Sequence, residues 1–175
     1  PFTAYGTYLG MKAAAKVAYG SDSLSGKRVA VQGVGSVGSK LIEYLTKENA
    51  QVIVSDFYED RLKAIVAQHP VTVVGLDELY DQPMDIYSPC ALGATVSEKT
   101  ISRLTCDIIA GCANNQLANE QADGLAVHQK GILYGPDFLV NCGGVINVFA
   151  EYQGLNQEWS WAQVESVYPQ TMNVL

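Results

Sequence analysis

The chain has 175 residues, 48% of them hydrophobic and 17% charged, and a formal net charge of −7. This length predicts one domain with a sizeable core, in which roughly 70% of the unfolded surface is buried on folding. The negative charge argues against nucleic acids and anionic membrane surfaces as partners, and no apolar run approaches the roughly 18 residues of a membrane-spanning helix.

Helix and strand patterns alternate along the chain. The run from Phe2 to Tyr19 predicts a leading helix that ends at Gly20. Short β-branched runs predict strands at residues 28–32, 51–56, 71–74, 84–89, 106–111 and within 132–140. Amphipathic spacing predicts helices at 36–48, from 59, at 97–104 with Ser97 as cap, and at 121–129, 145–152 and 161–168. This alternation predicts an α/β fold with a mostly parallel sheet and helices on both faces.

A glycine-rich motif joins the first predicted strand to the next helix. The segment Gly33-Val34-Gly35-Ser36-Val37-Gly38 matches G-x-G-x-x-G. Gly33 permits a tight turn, Gly35 leaves room for a pyrophosphate, and Gly38 lets the helix pack closely on the sheet. The motif alone also occurs in turns that bind nothing. Its place between a strand and a helix, in a unit of about 30 residues, predicts that Gly33 to Gly38 hold the diphosphate of a dinucleotide.

An acidic residue completes this unit. Asp56 ends the second predicted strand, where a carboxylate accepts hydrogen bonds from the ribose hydroxyls of NAD and repels the 2′-phosphate of NADP. We therefore expect NAD as the cofactor, bound to a Rossmann-like, doubly wound domain. Arg61 could weaken this preference, but a solvated helix residue is the simpler interpretation.

Two later loops also follow predicted strands. SPCALG, residues 88–93, and GCANNQL, residues 111–117, contain small residues that would permit close approach of a flat ring. The amides of Asn114 and Asn115 can both donate and accept hydrogen bonds. Asparagine also favours turns, and spacing alone favours a capped turn here.

Several segments carry a family resemblance. PCALGATV, GCANNQLA and YGPDFLVNCGGVINV, with TAYGTYLGMKAAAK near the start, resemble the leucine/valine/phenylalanine dehydrogenases, which are relatives of glutamate dehydrogenase. The resemblance runs from Thr3 to about Tyr168, and the VINV ending is most similar to the leucine dehydrogenase branch. It implies reversible NAD-dependent oxidative deamination of leucine, valine or isoleucine to the 2-oxo acid and ammonia.

The resemblance also implies roles for individual residues in binding the cofactor. Thr3 would hydrogen-bond the nicotinamide carboxamide, which Asn141 would help to position. Cys90 and Ala91 would contact the cofactor near its adenine-side ribose and nicotinamide. Asn115 would lie near the nicotinamide ribose and the reacting amino acid.

For the substrate, the resemblance implies a pocket that includes Asn115, Val145 and Val148. Branched aliphatic walls suit a branched aliphatic side chain. One methylene changes selectivity only ~10–200-fold, so the preferred amino acid stays open.

The chain has four cysteines: Cys90, Cys106, Cys112 and Cys142. They form no C-x-x-C pair, and with two histidines we expect no metal site. Reduced, buried thiols are typical of a cytoplasmic protein, and no secretory signal is visible. The resemblance marks Cys112 and Cys142, where small residues are usual, and Ser36, where asparagine is frequent, as departures from the family.

The family's proton chemistry uses lysines, one in a G-G-x-K-x-G segment, and an aspartate, all in an N-terminal domain. This sequence contains no such segment. The resemblance therefore implies a C-terminal NAD-binding domain over residues 1–175, with a leading helix (1–20), a Rossmann core (28–140) and closing helices (145–175). We expect no catalytic residue in it, and no amino-acid oxidation by it alone. Its partners would be the N-terminal catalytic domain of the same polypeptide, an amino-acid substrate, and further copies in a homo-oligomer.

Two other functions compete with this one. An NAD-sensing regulatory module would need the glycine motif and Asp56 but not the later family segments, which favour the enzyme. An aldehyde dehydrogenase would use Cys90 or Cys142 as nucleophile and needs a lowered thiol pKa and a base.

Overall fold

Six parallel strands form the centre of the computed structural model, which describes Pro1–Leu175. The strands are β1 (Arg28–Gln32), β2 (Gln51–Ser55), β3 (Val71–Val73), β4 (Ile86–Pro89), β5 (Ile108–Ile109) and β6 (Leu133–Tyr134). Their order in the sheet is β3-β2-β1-β4-β5-β6, and every neighbouring pair is parallel. This doubly wound, Rossmann-like order confirms the predicted fold class, and its direction reverses between β1 and β4, where such folds bind ligands.

Nine helices cover the sheet. They are α1 (Phe2–Tyr19), α2 (Ser36–Lys47), α3 (Glu59–Gln68), α4 (Glu98–Ile101), α5 (Glu120–Gln129), α6 (Asp137–Val140), α7 (Gly143–Tyr152), α8 (Gln157–Val164) and α9 (Val167–Val174). Helices α1, α2 and α3 share a buried cluster with one face of the sheet, whereas α4, α5 and a 3-10 turn (Glu78–Asp81) share another with the opposite face. None of the helices is both long and apolar enough to cross a bilayer.

The core lies on both faces of the central strands. Val29 and Val31 of β1 pack in the cluster formed with α1 and α2, while Ala30 between them belongs to the cluster on the other side. All three are fully buried. Because helices cover both faces, β1 is apolar almost without interruption, as buried parallel strands usually are.

The predicted boundaries hold best where a local signal is strong. Helix α1 and strand β1 have the predicted limits, and Gly20 ends α1 with a φ of 74°. Ser97 caps α4 through a capping box with Thr100, although α4 has only one turn.

The C-terminal part differs from the predictions. The last strand covers only Leu133–Tyr134, and the segment after Gly135-Pro136 is the helical turn α6 rather than strand. The helix predicted at 161–168 is two helices, α8 and α9. The run Phe138-Leu139-Val140 carries β-branched and apolar residues that suit either structure, and Pro136 with the Asp137 carboxylate, which accepts the Phe138 N–H at 2.7 Å, starts a helical turn.

Candidate functional site

A cavity of about 620 Å³ opens at the carboxyl ends of β1, β2 and β4. We call it the main cavity. Its lining comes from the ends of these strands and from the loops after them, and comprises Gln32, Gly33, Ser55, Asp56, Phe57, Tyr58, Arg61, Leu76, Cys90, Ala91, Leu92 and Thr95. A volume of this size is typical of small-molecule sites, and the position is the switch point of the sheet.

Two glycines of the motif are required by the packing of the protein itself. Gly33 has a φ of 102° and donates its N–H to the Ser55 carbonyl at 2.8 Å. A Cβ on Gly33 would lie 2.7 Å from the Cβ of Ala91, and one on Gly38 would lie 2.1 Å from the Gly33 oxygen. The strand, the turn and α2 therefore fit together only without these side chains.

Gly35 is different, because nothing in the chain fills the space beside it. Its φ is −67°, which any residue adopts, and a Cβ there would meet only the Arg61 Nη1 at 3.7 Å. Gly35 is the N-cap of α2, which no side chain caps. The free N–H groups of the first turn and the positive end of the helix dipole thus face open space, which is the arrangement that suits an anion.

Asp56 lies at the edge of this space, and its carboxylate is held in place. Oδ2 accepts the Val34 N–H and Oδ1 accepts the Tyr58 N–H, both at 2.8 Å. The side chain is only 6% exposed, and the Arg61 guanidinium lies 4.0 Å from Oδ2. Each carboxylate oxygen keeps a lone pair, so Asp56 can still accept from a ligand hydroxyl.

Below the main cavity lies a buried polar network that the sequence does not predict. The Tyr87 hydroxyl donates to Gln32 Oε1 at 2.6 Å, and Gln32 Nε2 donates to the Tyr80 hydroxyl at 2.8 Å. Burial raises the pKa of Tyr87 far above its usual value, so the phenol stays a donor. The network fixes the end of β1 just before Gly33. Its one signal in the sequence is a glutamine at the end of β1, directly after three apolar residues.

The two later loops pack against each other beside the main cavity. The Ala94 N–H donates to the Asn115 carbonyl at 2.7 Å, and the buried Gln116 side chain donates to the carbonyls of Gly111 and Ala113 at 2.8 and 2.9 Å. Asn115 has a φ of 51°, and its side chain is exposed. This residue forms a turn, as its residue type favours, and its amide is free toward solvent.

Thr3 and Asn141 lie outside the main cavity, where α1, α6 and α7 meet. A Cβ on Gly144 would lie 2.7 Å from Thr3 Oγ1, and Asn141 Nδ2 donates to Asn114 Oδ1 at 2.6 Å. Of the predicted cofactor residues, the structure thus gathers Gly33, Asp56, Cys90 and Ala91 around one cavity. The other predicted cofactor residues do not line it: Gly35 and Ser36 line a neighbouring cavity, and the remaining ones, Thr3, Val37, Gly38, Asn115 and Asn141, line neither.

Val145 and Val148 are exposed on α7, with 73% and 64% of their surface accessible. Phe149 and Tyr152 on the same helix are also exposed. These four residues follow the spacing of one helix face and form an apolar stripe. The Trp159 ring packs against Phe149, with 5.8 Å between the ring centroids, and Val145, Val148 and Tyr152 stay more exposed.

Cys90 and Cys112 bring their thiols together at the ends of β4 and β5. The neighbouring Cys112 thiol lowers the pKa of Cys90, and the Cys90 thiol together with burial raises the pKa of Cys112. The main cavity contains no histidine and no lysine. Cys90 therefore has no neighbouring base in the cavity, and the aldehyde dehydrogenase interpretation gains no support.

Comparison with known proteins identifies the family. The sequence model of the Glutamate/Leucine/Phenylalanine/Valine dehydrogenases matches residues 1–59 and 54–172. The chain belongs to this family. This confirms the resemblance seen in the sequence.

Individual family members are similar to the chain over nearly its whole length. It is 48% identical to the leucine dehydrogenase of Thermoactinomyces intermedius over 174 residues, which are 99% of this chain and 47% of that protein. Identity to the leucine dehydrogenase of Bacillus subtilis (strain 168) is also 48%, over 100% of this chain and 48% of that protein. The crystal structure of L-tryptophan dehydrogenase from Nostoc punctiforme matches with a TM-score of 0.96 and 41% identity, covering 98% of this chain and 52% of that one.

These family members are amino-acid dehydrogenases, and the chain spans about half of their length.

No group of three or more histidine, cysteine, aspartate or glutamate side chains is placed to hold a metal ion. The lysines of the chain lie away from the main cavity. Lys12 is paired with Glu48, Lys40 and Lys47 are paired with Glu43, and Lys130 donates to backbone carbonyls.

Proposed function

We propose that this chain is the NAD-binding domain of an amino-acid dehydrogenase that converts a branched-chain L-amino acid to its 2-oxo acid and ammonia, and reverses that reaction. One observation carries the proposal. At the switch point of the sheet, open space beside Gly35 and the uncapped start of α2 lies next to the braced carboxylate of Asp56. A diphosphate needs the first feature, and a ribose diol needs the second.

The residues of the main cavity, together with the start of α2 beside it, fit a dinucleotide in size and chemistry. The diphosphate would lie over Gly35 and accept from the N–H groups of Ser36, Val37 and Gly38. Asp56 would accept from the adenosine ribose, and the small residues Cys90 and Ala91 would allow close approach on the β4 side. The attraction for the diphosphate is local, so a net charge of −7 on the chain does not oppose it.

At the other end of the dinucleotide, Thr3 and Asn141 would hold the carboxamide of the nicotinamide and so fix which ring face meets the substrate. When bound, the dinucleotide supplies the hydride acceptor. The Asn141 amide is already oriented by its bond to Asn114 at 2.6 Å. Asn115 would contact the nicotinamide ribose and the amino acid with its exposed side chain.

The substrate side chain would lie against Val145 and Val148. Exposure of these apolar side chains to water is unfavourable for an isolated domain. It is explained if a substrate and a second domain cover them. Identity to leucine dehydrogenase is 48%, against 42% to L-tryptophan dehydrogenase and 38% to a valine dehydrogenase, which supports the leucine branch of the family.

Proton transfer would come from the remainder of the polypeptide, since no lysine or histidine lines the main cavity. The amine must lose a proton, and water must add to an imine carbon, so a base from an N-terminal catalytic domain is required. Closure of the two domains would exclude water from the reacting groups. We propose that the full-length protein also forms a homo-oligomer, as expected from the resemblance.

A calorimetric titration of the purified chain with NAD⁺ tests the proposal. We expect binding that Gly35→Ala weakens by about ten-fold or more, because the added methyl occupies the space for the diphosphate. Gly124→Ala is the matched control: its Cβ also has room, 3.7 Å from the nearest atom, but lies on α5 away from the main cavity. Failure of the unaltered chain to bind NAD⁺ or NADH would overturn the assignment. Oxidation of leucine by the chain alone would overturn the proposal that the catalytic base comes from an N-terminal domain.

A further inference from the structure

A second cavity adjoins the main cavity on the far side of the glycine motif. This side cavity has a volume of about 500 Å³, and Arg61 lines both cavities. Its lining includes the hydroxyl-bearing residues Ser36 and Ser39 and the cationic residue Lys40. Gly35 also lines it, so the start of α2 opens into this cavity, and only three of its eleven lining residues are hydrophobic, fewer than an adenine or nicotinamide pocket would have.

Arg61 is held at the junction of the two cavities although it forms no hydrogen bond. Its guanidinium stacks on the Tyr58 ring at 4.4 Å, and its Nη1 lies 4.0 Å from Asp56 Oδ2 and 3.7 Å from the position of a Cβ on Gly35. Half of the side chain is exposed. The N–H groups of Arg61 therefore remain free at the place where the ribose acid and the diphosphate cradle meet. Arg61 is thus a half-exposed helix residue, as the sequence suggests, and it also contacts Tyr58 and Asp56.

The charges around this point decide what the N–H groups can bind. Asp56 already accepts two backbone N–H groups and has Arg61 beside it, so much of its negative charge is compensated. Glu43 also lines the side cavity, but Lys40 and Lys47 contact it at 2.5 and 2.7 Å. The Arg61 guanidinium is thus the charged group at the junction that has no hydrogen-bond partner, and its N–H groups match the oxygens of a phosphate monoester.

We propose that Arg61 is a cofactor-selectivity residue, which lets this site bind the 2′-phosphorylated dinucleotide as well as the unphosphorylated one. The inference rests on the proposed function, because it takes the ribose to lie at Asp56. A phosphate on a hydroxyl that faces Asp56 lies within a few ångströms of that carboxylate, and Arg61 is the cation within that distance. The side cavity gives the phosphate room beyond the ribose, next to Ser36 and Ser39.

Titrations of the purified chain with NAD⁺ and NADP⁺ test this inference. We expect NAD⁺ to bind more tightly, and NADP⁺ to bind within about ten-fold of it, because one charge-assisted contact offsets the repulsion by Asp56. Arg61→Ala should lower the affinity for NADP⁺ by a further factor of about ten or more. It should change the affinity for NAD⁺ by less than about two-fold. Arg61→Gln, which keeps much of the side chain without its charge, should behave in the same way.

Lys63→Ala is the matched control. Lys63 is a cation on the same helix, 72% exposed, and it lines neither cavity. Its removal lowers the net charge equally, so a selective loss of NADP⁺ in the Arg61 variants alone excludes a long-range charge effect. Equal weakening of both dinucleotides by Arg61→Ala, or NADP⁺ affinity that does not depend on Arg61, would overturn the inference while NAD⁺ binding upholds the proposed function. If neither dinucleotide binds, both this inference and the proposed function fail.

Discussion

The carboxylate of Asp56 accepts the backbone N–H of Val34 at 2.8 Å, which ties the acid after β2 to the glycine motif after β1. The second oxygen accepts the Tyr58 N–H and so shapes the start of α3. One side chain therefore braces two loops and also offers lone pairs to a ligand. The two roles can be separated by substitution.

Replacement of Asp56 should affect stability and cofactor affinity to different degrees. Asp56→Ala leaves the N–H groups of Val34 and Tyr58 without acceptors and should lower the free energy of unfolding by about 1–3 kcal/mol. Asp56→Asn keeps one acceptor oxygen and should lower the free energy of unfolding by less. Both variants should lose about ten-fold or more in NAD⁺ affinity, because an acceptor for the ribose diol is lost. Urea unfolding and calorimetry measure the two effects. Unchanged NAD⁺ affinity in both would show that Asp56 is only a brace.

Replacement by alanine should lower the stability of the fold at Gly38 but not at Gly35. In Gly38→Ala the Cβ would lie 2.1 Å from the Gly33 oxygen, so the backbone must shift, and we expect a loss of about 2–3 kcal/mol or more. Gly35→Ala should be neutral within about 0.5 kcal/mol, since its Cβ has room. Denaturant unfolding of both variants without ligand measures this. A destabilised Gly35→Ala would mean that packing, and not ligand space, explains that glycine.

How much of this could be read from the sequence depends on how local the signal is. The limits of α1 and β1 were predicted correctly, because a glycine C-cap and a β-branched run act within a few residues. The glycine motif and Asp56 belong to one strand–helix–strand unit, so their spacing was informative. The strand predicted within 132–140 covers only Leu133–Tyr134, since the composition of residues 137–140 suits a strand as well as the helical turn that is found there.

The rest of the candidate site depends on contacts between distant segments. Gln32 meets Tyr80 and Tyr87, which lie 48 and 55 residues further along the chain. Arg61 was treated as a surface residue because periodicity does not tell which neighbour an exposed helix residue meets. Its contacts with Asp56 and Tyr58 follow from the way α3 leaves β2.

Glu48 should make stability depend on pH. Its carboxylate accepts from the Tyr8 hydroxyl at 2.5 Å, and from Lys12 Nζ and the Leu24 N–H at 2.9 Å each. Burial alone would raise the pKa of Glu48, but these hydrogen bonds outweigh it and hold the pKa below its usual value. The ionised carboxylate therefore stabilises the fold above the unfolded-state pKa of about 4.3, and this contribution is lost as the pH falls through the lower folded-state pKa.

Glu48→Gln should accordingly reduce the free energy of unfolding by about 1–3 kcal/mol near neutral pH and by progressively less below about pH 4. Urea unfolding from pH 7 to pH 3 measures the difference. Glu59→Gln is the control, because Glu59 is 86% exposed on α3 and lies 3.8 Å from Lys63. Its effect should be within about 0.5 kcal/mol at neutral pH. A Glu48→Gln deficit that does not shrink in acid would assign the effect to packing.

The exposed valines of α7 should control substrate selectivity without contributing to the stability of this chain. Val148 is 64% exposed, so Val148→Ala should change the free energy of unfolding by less than about 0.5 kcal/mol. In the full-length protein the same change would enlarge the pocket wall. It should then shift the ratio of kcat/KM for leucine and for a bulkier amino acid by ~10-fold or more, since a change of a single methylene already alters selectivity by ~10–200-fold.

Val174→Ala provides the comparison for this prediction. Val174 is 59% exposed at the end of α9 and lies outside the stripe of Val145, Val148, Phe149 and Tyr152. Both variants remove the same two methyl groups from an exposed helix position, so they should unfold alike. Only the α7 variant should alter the selectivity ratio, because only α7 would face the substrate. The same ratio in both variants would exclude the α7 stripe as the pocket wall, and would leave this apolar face to be covered by the second domain alone.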